Sequence, residues 1–500
     1  MSSWVASVSF LSTALIYIAS LKREKKKNTN EKMVSKEFAK FLRDKHFSKA
    51  VSVSYANSGP LMIVRGEGSR LIDEVGNSYL DTRNNVAHCG HNNPRVVKAI
   101  QEQVAVLNTN TRYLHPTICL LAERLSNLLP DPLEIVFFVN SGSEANDLAL
   151  RLARDYTRSR NTIVCGSAYH GHTLATLEVS PYKYEHGTEF GLIKPDPEAN
   201  FSSPGTHIWQ VPPPDVYRGP YRDIKTAGLK YASTVQEACK FYQNTKKENV
   251  GAFIIEGGMS VAGVILPPPG YLYHSVKAVR EAGGVYIADE VQTGFGRLGQ
   301  CYWAFQHQNS CLEDEESVVP DIVTVGKPFG NGMPLAAVVT TRKIAEVFEK
   351  CGVEYFNTFG GNPVCASAGL AVLDTIEAEG LQQNAIDVGG FLKSMLIELR
   401  KRLDIIGDVR GSGLFIGIEL VRDHDTLEAA SAETSFICTT LKSKYNILSS
   451  IDGKYDHVLV VKPPMVFRRE DADYFVQCFE KIVLEDLKDM DLKNMRKTPT

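Results

Sequence analysis

The chain has 500 residues, too many for one small core and suited to an enzyme of two linked domains. Hydrophobic residues make up 43% of it and charged residues 23%, which excludes a disordered or fibrous protein. The formal net charge of −3 provides no basic field for nucleic acid, so that class of partner is set aside.

The N-terminus departs from this globular profile. Residues 4–21 carry no charge, and a cluster of lysine and arginine follows at 22–27. As a helix the uncharged segment would span about 27 Å, slightly less than the ~30 Å core of a bilayer. The positive-inside rule then predicts a membrane anchor with the rest of the chain facing the cytosol. Two alternatives stay open, namely a targeting segment that would make the protein mitochondrial, or a disordered leader.

Further along the chain, short apolar runs alternate with segments of helical spacing. A helix is predicted at residues 37–46 and a hairpin around Gly76-Asn77. Buried strands are predicted at residues 135–139, 163–165, 252–255, 284–288 and 322–325. Strands spaced this far apart, with helices between them, imply a mostly parallel sheet covered on both faces. Residues 195–222 are predicted to be a long surface excursion, and the chain after residue 365 a second, α+β domain.

The cysteine and histidine residues do not suggest a metal or redox site. The ten cysteines include no C-x-x-C pair, which argues against zinc ribbons and thioredoxin-type sites. Cys89, Cys165 and Cys365 have apolar or small neighbours and are predicted to be reduced, buried thiols. His88 and His91 are three residues apart, but no carboxylate and third histidine complete a metal site, so both are predicted to be packing residues.

Lys327 follows a strand-like run and is flanked by Gly326 and Pro328. Burial lowers the pKa of a lysine and frees its amine to attack an aldehyde. By itself, however, the pattern favours a surface lysine in a turn. A second residue therefore has to support a catalytic interpretation.

Asp289 ends the predicted strand 284–288. A carboxylate at the carboxyl end of a parallel strand points into the crevice where α/β sheets bind ligands. Such an anion is what pyridoxal 5'-phosphate (PLP) needs beside its ring nitrogen, because it keeps the ring protonated. An aspartate that only caps the next turn is the alternative.

Two further segments could complete a cofactor site. Small residues at 140–147 link a strand to a helix, and the helix N-terminus would favour a phosphate. A capping box would explain the same residues. Tyr169, in Tyr-His-Gly at 169–171, could stack on a flat ring or belong to the core.

Together these segments resemble the class III PLP-dependent aminotransferase family over residues 61–473. The motifs that carry the resemblance are Ser-Gly-Ser-Glu-Ala at 141–145, Tyr-His-Gly at 169–171, Asp-Glu-Val-Gln-Thr-Gly-Phe-Gly-Arg at 289–297, Gly-Lys at 326–327, Thr-Phe-Gly-Gly-Asn-Pro at 358–363 and Arg-Gly-Ser-Gly-Leu at 410–414. The resemblance implies the α/β type I PLP fold, with a large domain built on a mostly parallel seven-stranded sheet, a smaller α+β domain from both chain ends, and a dimer. The domains would then be 1–35 (anchor or targeting segment and basic linker), 36–84 (first part of the small domain), 85–350 (PLP-binding domain), 351–490 (C-terminal small domain) and 491–500 (tail).

The resemblance also implies roles for individual residues. Lys327 would be the Schiff-base lysine and Asp289 the partner of the ring nitrogen. Gly142 and Ser143 would hold the phosphate, and Ser141 would be a further cofactor contact. Tyr169 would stack on the ring, Gln292 would hydrogen-bond the ring hydroxyl, and Thr358 would reach the phosphate of the neighbouring subunit's cofactor. Glu256 resembles a family glutamate near the ring, although the Gly-Gly-Met-Ser after it departs from the family's usual Glu-Pro.

Within the family the chain resembles the alanine–glyoxylate aminotransferase 2-like branch, which includes ethanolamine-phosphate and 5-phosphohydroxylysine phospho-lyases. The segments that carry this resemblance are residues 84–91, 107–110, 217–222, 355–363 and 462–465. The branch implies elimination of phosphate from a phosphorylated amine with release of ammonia and an aldehyde. An ω-aminotransferase that uses a keto-acid acceptor is the alternative, because Lys327 and Asp289 would serve both reactions.

A cationic pocket would favour the lyase, since guanidinium and ammonium groups bind phosphate. The candidates are Arg218, Arg222, Arg410 and Lys462. Arg410 also matches the family arginine that often binds a substrate carboxylate. For Arg218 and Arg222 the alternative is a pair of solvent-facing charges on a loop.

Overall fold

The structure is a computed structural model that describes residues 34–185, 205–309 and 317–489. The chain divides into two compact units between Met62 and Ile63. Residues 4–21, on which the anchor prediction rests, lie outside the described ranges. Among the described residues no helix is long and apolar enough to cross a bilayer. The domain boundaries proposed from the sequence stay predictions.

The secondary structure follows the predicted alternation of strands and helices. The helices are α1 Lys36–His46, α2 Pro94–Val104, α3 Pro116–Ser126, α4 Gly142–Thr157, α5 Leu174–Glu178, α6 Pro181–Glu185, α7 Ile224–Lys240, α8 Tyr271–Glu281, α9 Gln306–Asn309, α10 Arg342–Glu349, α11 Pro363–Ala378, α12 Leu381–Arg400, α13 Ser431–Tyr445 and α14 Arg469–Lys481. The strands are β1 Ile63–Glu67, β2 Arg70–Asp73, β3 Ser78–Asp81, β4 Leu133–Val139, β5 Thr162–Cys165, β6 Ile208–Val211, β7 Ala252–Glu256, β8 Val285–Asp289, β9 Ile322–Val325, β10 Ala336–Thr341, β11 Ile406–Ser412, β12 Phe415–Leu420, β13 Ile447–Leu448, β14 Ser450–Asp452 and β15 Val458–Val461.

The second unit is built on a seven-stranded sheet with the order β4-β10-β9-β8-β7-β5-β6. Strands β5 to β9 pair in parallel, and β10 runs antiparallel to both β4 and β9. Every residue of β7, β8 and β9 is buried. Short strands that are buried along their whole length are typical of a sheet covered on both faces. The predicted mostly parallel sheet is therefore confirmed.

Two strands of this sheet are missing from the sequence prediction. Strand β6 lies at the sheet edge, inside the segment 195–222 that was predicted to be a surface excursion. Its exposed and half-buried positions give a weak apolar signal. Strand β10 is rich in alanine and threonine, which are less strongly apolar than the valines and isoleucines of its neighbours.

Two four-stranded sheets flank the seven-stranded one in sequence. The first has the order β1-β2-β3-β13, and the second β11-β12-β15-β14. Parallel pairing of β3 with β13 joins a segment that precedes the large sheet to one that follows it. The hairpin predicted around Gly76-Asn77 is the connection between β2 and β3.

Candidate functional site

A cavity of about 280 Å³ lies at the carboxyl ends of the parallel strands. Glu256 and Asp289 are the last residues of β7 and β8, and Lys327 follows β9. Parallel strands present their carboxyl ends at one edge of the sheet, so these three side chains converge. Eight of the nine residues predicted to contact the cofactor line the cavity, namely Ser141, Gly142, Ser143, Tyr169, Glu256, Asp289, Gln292 and Lys327.

Asp289 is buried and held by three hydrogen bonds. Its Oδ2 accepts from Asn146 Nδ2 at 2.8 Å and faces His170 Nδ1 at 2.7 Å. Its Oδ1 accepts from the backbone N–H of Val291 at 3.0 Å. Because Oδ1 has one backbone donor and Oδ2 two side-chain contacts, Oδ1 keeps more capacity for a donor in the cavity.

Lys327 lies among charges of both signs. Burial lowers the pKa of its amine, and the positive charge of Lys462 lowers it further. The carboxylates of Asp289, Glu256 and Asp452 act in the opposite direction, but the pKa stays below its ordinary value. A lysine with a lowered pKa keeps more of its amine neutral, which suits a nucleophile or a base.

The first turn of α4 forms one wall of the cavity. Ser141 caps this helix by accepting a hydrogen bond from Glu144 N at 3.2 Å. The first N–H groups of a helix have no partner within the helix, so those of Gly142 and Ser143 are available to an anion. A Cβ atom on Gly142 would lie 2.5 Å from Val291 Cγ1, so the close approach of this turn to the β8 end requires glycine.

Tyr169 and Gln292 line other parts of the cavity. Tyr169 is half-buried, and burial together with the negative charges of Asp289 and Glu256 raises the pKa of its hydroxyl. The side-chain oxygen of Gln292 accepts from Asn85 Nδ2 at 3.2 Å, which leaves the amide N–H groups of Gln292 free to act as donors.

Glu256 is buried beside these residues. Burial raises the pKa of its carboxyl to about 7, with the nearby charge of Asp289 acting in the same direction. Its oxygens accept from the backbone N–H groups of Tyr169 at 3.2 Å and Ser260 at 3.1 Å. Glu256 therefore anchors the loops around the cavity in addition to lining it.

Thr358 is exposed and does not line the cavity of its own chain. It lies in the connection between α10 and α11, which Asn357 ties to Asn140 with a hydrogen bond of 2.9 Å. An exposed threonine next to the cavity wall is compatible with the predicted contact to a neighbouring subunit. That contact stays a prediction.

None of the four predicted substrate-binding cations lines the cavity, but the charge of Lys462 acts on Lys327 and lowers the pKa of that residue. Lys462 is buried, and its Nζ donates to Ser260 Oγ at 2.8 Å and lies 3.4 Å from Asp452 Oδ2. An ammonium group has three N–H donors, so these two contacts leave one. Its charge reaches Lys327, as the lowered pKa of that residue indicates.

Arg410 and Arg218 meet on a single buried carboxylate, Glu419. Arg410 Nη1 donates to Glu419 Oε2 at 2.5 Å, and Arg218 Nε donates to the other oxygen. Burial raises the pKa of Glu419, but His457 and the two arginines together lower it to about 2. Neither arginine lines the cavity. Arg222 is exposed, and its Nε donates to the carbonyl of Gly219.

Sequence reasoning did not single out the residues that hold Asp289 in place. Asn146 and His170 both contact its Oδ2, and Thr324 hydrogen-bonds to Asn146. Asn146 stands one residue beyond the motif at 141–145, and His170 lies within Tyr-His-Gly. The motifs around Asn146 and His170 can be recognised in the sequence, but no sequence pattern shows that these two side chains meet at Asp289.

The cysteines and histidines singled out from the sequence lie in well-defined surroundings. Cys89, Cys165 and Cys365 are all buried, and burial raises the pKa of the Cys165 thiol to about 12. His88 faces the carbonyl of Phe295, and His91 contacts Asp81. No group of three or more metal-ligating side chains occurs in the part of the chain that the structure describes.

The residues of the cavity fit PLP. An amine with a lowered pKa suits the aldehyde, and a buried carboxylate suits the ring nitrogen. The turn at Gly142, where a Cβ would collide with Val291, provides free N–H groups for the phosphate. Lys327, Asp289 and the first turn of α4 would hold the group at three points.

Comparisons with known proteins agree with this fit. Residues 51–483 match the family described as aminotransferase class-III. A Drosophila melanogaster protein named alanine–glyoxylate aminotransferase 2-like is 46% identical over 89% of this chain and 87% of its own. A Caenorhabditis elegans protein named ethanolamine-phosphate phospho-lyase homolog 1 is 38% identical over 86% of this chain and 90% of its own.

A solved structure is also similar over most of the chain. A phospholyase from Arthrobacter, in complex with phosphoethanolamine, superposes with a TM-score of 0.80 at 35% identity, and the match covers 89% of this chain and 99% of that one. With the matched family and the seven-stranded sheet, this similarity confirms the fold class inferred from the motifs. The chain thus belongs to the class III aminotransferase family, has the type I fold of PLP-dependent transferases, and has PLP as its cofactor.

Proposed function

We propose that this protein is a PLP-dependent phospho-lyase that acts on a phosphorylated amine, with phosphoethanolamine or 5-phosphohydroxylysine as the substrate. The amine phosphate and one water would yield an aldehyde, ammonia and inorganic phosphate. The relatives named phospho-lyase and phospholyase support this choice of reaction. The structural observation that carries it is the buried cation Lys462, which contacts Ser260 and Asp452 and whose charge lowers the pKa of Lys327.

The chain's own side chains have separable tasks in such a reaction. PLP, when bound, supplies an electron-withdrawing ring that stores the electron pair left when a proton is removed next to the amine. The neutral amine of Lys327 would remove that proton. Asp289 would hold the ring nitrogen as a cation, and the N–H groups of Gly142 and Ser143 would hold the cofactor phosphate.

Lys462 would stabilise the departing phosphate of the substrate. Elimination breaks the bond between carbon and the phosphate oxygen, so negative charge grows on the leaving group. An ammonium group in a buried site interacts strongly with such charge because little water screens it. The third N–H donor of Lys462 could bind the phosphate while Ser260 and Asp452 keep the side chain in place.

An aminotransferase of the alanine–glyoxylate type is the second candidate, because the relative with 46% identity carries that name. That reaction needs a cation for the carboxylate of a keto acid, and Arg410 is the family candidate. Here Arg410 is neutralised by Glu419 at 2.5 Å and Asp408 at 3.2 Å. A keto acid would have to displace a carboxylate that is ionised at neutral pH, which favours the lyase.

Assays of the purified holoenzyme test the proposal. Phosphoethanolamine and 5-phosphohydroxylysine are each supplied, and inorganic phosphate and ammonia are measured. Equal amounts of both products from at least one substrate are expected. No phosphate from either, together with amino transfer from alanine to glyoxylate, would establish the second candidate instead.

Two variants refine the assay. Lys462→Met removes the cation and should lower kcat for elimination by about 100-fold, since one preorganised charge contact contributes about 3 kcal/mol to a transition state. Lys393→Met is the matched control, because Lys393 is also partly buried and donates only to the carbonyl of Gly411. Equal rates in the two variants would contradict the role of Lys462.

A further inference from the structure

Two side chains contact one oxygen of Asp289, and a third side chain contacts one of those two. Oδ2 lies 2.8 Å from Asn146 Nδ2, on α4, and 2.7 Å from His170 Nδ1, in the loop after β5. Thr324, on β9, pairs in register with Asp289 and donates to Asn146 Oδ1 at 2.7 Å. All four side chains are buried. They form a connected polar group between the sheet and the helix that covers it.

Two acceptors set the orientation of the Asn146 amide, and the hydroxyl of Thr324 supports it by donating to the amide oxygen. Asn146 Nδ2 faces two acceptors, Asp289 Oδ2 and the carbonyl oxygen of His170 at 2.8 Å. If the amide were reversed, its oxygen would face both of these acceptors, and its NH₂ would face the hydroxyl. With Thr324 donating to Oδ1, both N–H groups of the amide are directed toward acceptors, so each polar atom of Asn146 is satisfied.

The same helix also carries the candidate phosphate-binding turn. Gly142 and Ser143 begin α4, and Asn146 lies one turn further along its buried face. A displacement of Asn146 would therefore affect the ring end of the cofactor site while leaving the helix N-terminus in place. Effects on the ring end of the site can therefore be measured separately from effects on the phosphate-binding turn.

We propose that Thr324 and Asn146 are positioning residues that orient the Asp289 carboxylate, so that its Oδ1 meets the ring nitrogen of PLP and keeps it protonated. The inference rests on the proposed role of Asp289 and is independent of which substrate the enzyme uses. Thr324 acts through Asn146, and Asn146 through Asp289.

The test measures the ring nitrogen directly. PLP labelled with ¹⁵N in the ring is bound to the full-length protein, and the ¹⁵N chemical shift is followed as the pH is raised. In Thr324→Val, which removes the hydroxyl but keeps the shape, the nitrogen should lose its proton at a pH about one unit lower than in the wild type. The dissociation constant of PLP should rise about tenfold, as expected when one hydrogen bond to a charged group is weakened.

Matched variants separate positioning from a general effect on folding. Thr340 on the adjacent strand β10 is equally buried and donates to the carbonyl of Asp321 at 2.9 Å, so Thr340→Val removes a comparable hydroxyl elsewhere in the same sheet. It should lower the melting temperature but leave the ¹⁵N titration unchanged. Thr324→Ser restores a hydroxyl and should restore the wild-type titration.

The Asp289→Asn variant tests the role of Asp289 separately from the positioning role of Thr324. If Asp289→Asn leaves the ¹⁵N titration unchanged, the role of Asp289 is wrong and this inference falls with it. If Asp289→Asn shifts the titration but Thr324→Val does not, the positioning role alone is overturned. A Thr324→Ser protein that titrates like Thr324→Val would also overturn it. Should Thr324→Val fail to fold, Asn146→Asp, which places a second carboxyl beside Asp289, must alter the titration for the inference to stand.

Discussion

Charged groups from four elements act on the pKa of Lys327, the proposed reactive amine, with Asp452 at the end of β14 among them. Lys327 follows β9, while Asp289 and Glu256 come from the ends of β8 and β7. Lys462 follows β15, and its positive charge lowers the pKa of Lys327 by repulsion, whereas the carboxylates raise it. The pKa of Lys327 thus depends in part on Lys462, which lies much further along the sequence and follows a strand of a different sheet.

The covalent attachment of PLP tests the identity of the reactive lysine. Borohydride should fix the cofactor to the wild-type chain, and the Lys327→Ala protein should show no such mass increase. Lys462→Ala is the control, because it removes the neighbouring buried amine and should still be labelled. Peptide mapping that places the label on another lysine in wild-type protein would disprove the assignment.

A second residue-scale effect concerns stability and pH. Glu290 is fully buried, and burial raises the pKa of its carboxyl from 4.5 to about 7. The folded state therefore binds a proton more tightly than the unfolded state. The contribution of Glu290 to the free energy of unfolding is therefore fully present below pH 4.5 and is lost as the pH rises through 7.

The predicted size of this loss is about 2 kcal/mol between pH 5 and pH 7. Urea unfolding of wild type and Glu290→Gln at the two pH values measures it, since glutamine cannot titrate. The free energy of unfolding should fall more steeply with pH in the wild type. Glu398→Gln, at an exposed carboxylate paired with Lys401, should retain the wild-type slope. Equal slopes in wild type and Glu290→Gln would refute the expectation.

At the scale of elements, helix α4 connects both ends of the cofactor site. Its first turn lines the cavity where the phosphate is proposed to bind, and its second turn reaches Asp289 through Asn146. Gly142 permits the close approach of this helix to Val291, where a Cβ would be 2.5 Å from a methyl group. The helix cannot carry a side chain there without moving away from the β8 end.

Gly142→Ala should therefore weaken PLP binding by at least about tenfold, because displaced N–H groups lose charge-assisted hydrogen bonds to phosphate. Fluorescence titration of the apoprotein with PLP gives the dissociation constant. Gly390→Ala is the control, since a Cβ there meets nothing within 4 Å on an exposed helix position. Unchanged affinity in Gly142→Ala would show that this turn does not hold the phosphate.

Features that depend on short motifs could be predicted from the sequence, whereas contacts between distant segments could not. Lys327, Asp289 and Gly142 each lie in a short family motif at the end of a strand or the start of a helix, so the resemblance was sufficient to predict that they share one site. Asn146 and Thr324 are 178 positions apart and meet only because β9 and α4 pack together. Likewise, the pairing of Arg410 with Glu419 depends on the register of β11 and β12, which no motif encodes.

At the scale of the molecule, an exposed apolar patch adjoins the loop that carries Thr358. The exposed fractions are 99% for Leu114, 70% for Tyr113 and 67% for Phe359. Arg112 connects the two segments, because it pairs with Glu354 and lies 4.4 Å from the centre of the Phe356 ring. Contiguous exposed aromatic and aliphatic side chains usually mark a protein interface. The patch supports the proposed dimer in which Thr358 reaches the neighbouring cofactor.

Hybrid dimers test this arrangement. Lys327→Ala and Thr358→Ala chains, each expected to be impaired alone, are coexpressed with different tags and the mixed dimer is purified. If Thr358 acts across the interface, the intact Lys327 of one chain receives the intact Thr358 of its partner. One site per dimer should then bind PLP with wild-type affinity, and elimination activity should approach half that of the wild type. If Thr358 serves its own chain, the site with Lys327 still lacks the threonine, and the affinity should match that of the Thr358→Ala homodimer.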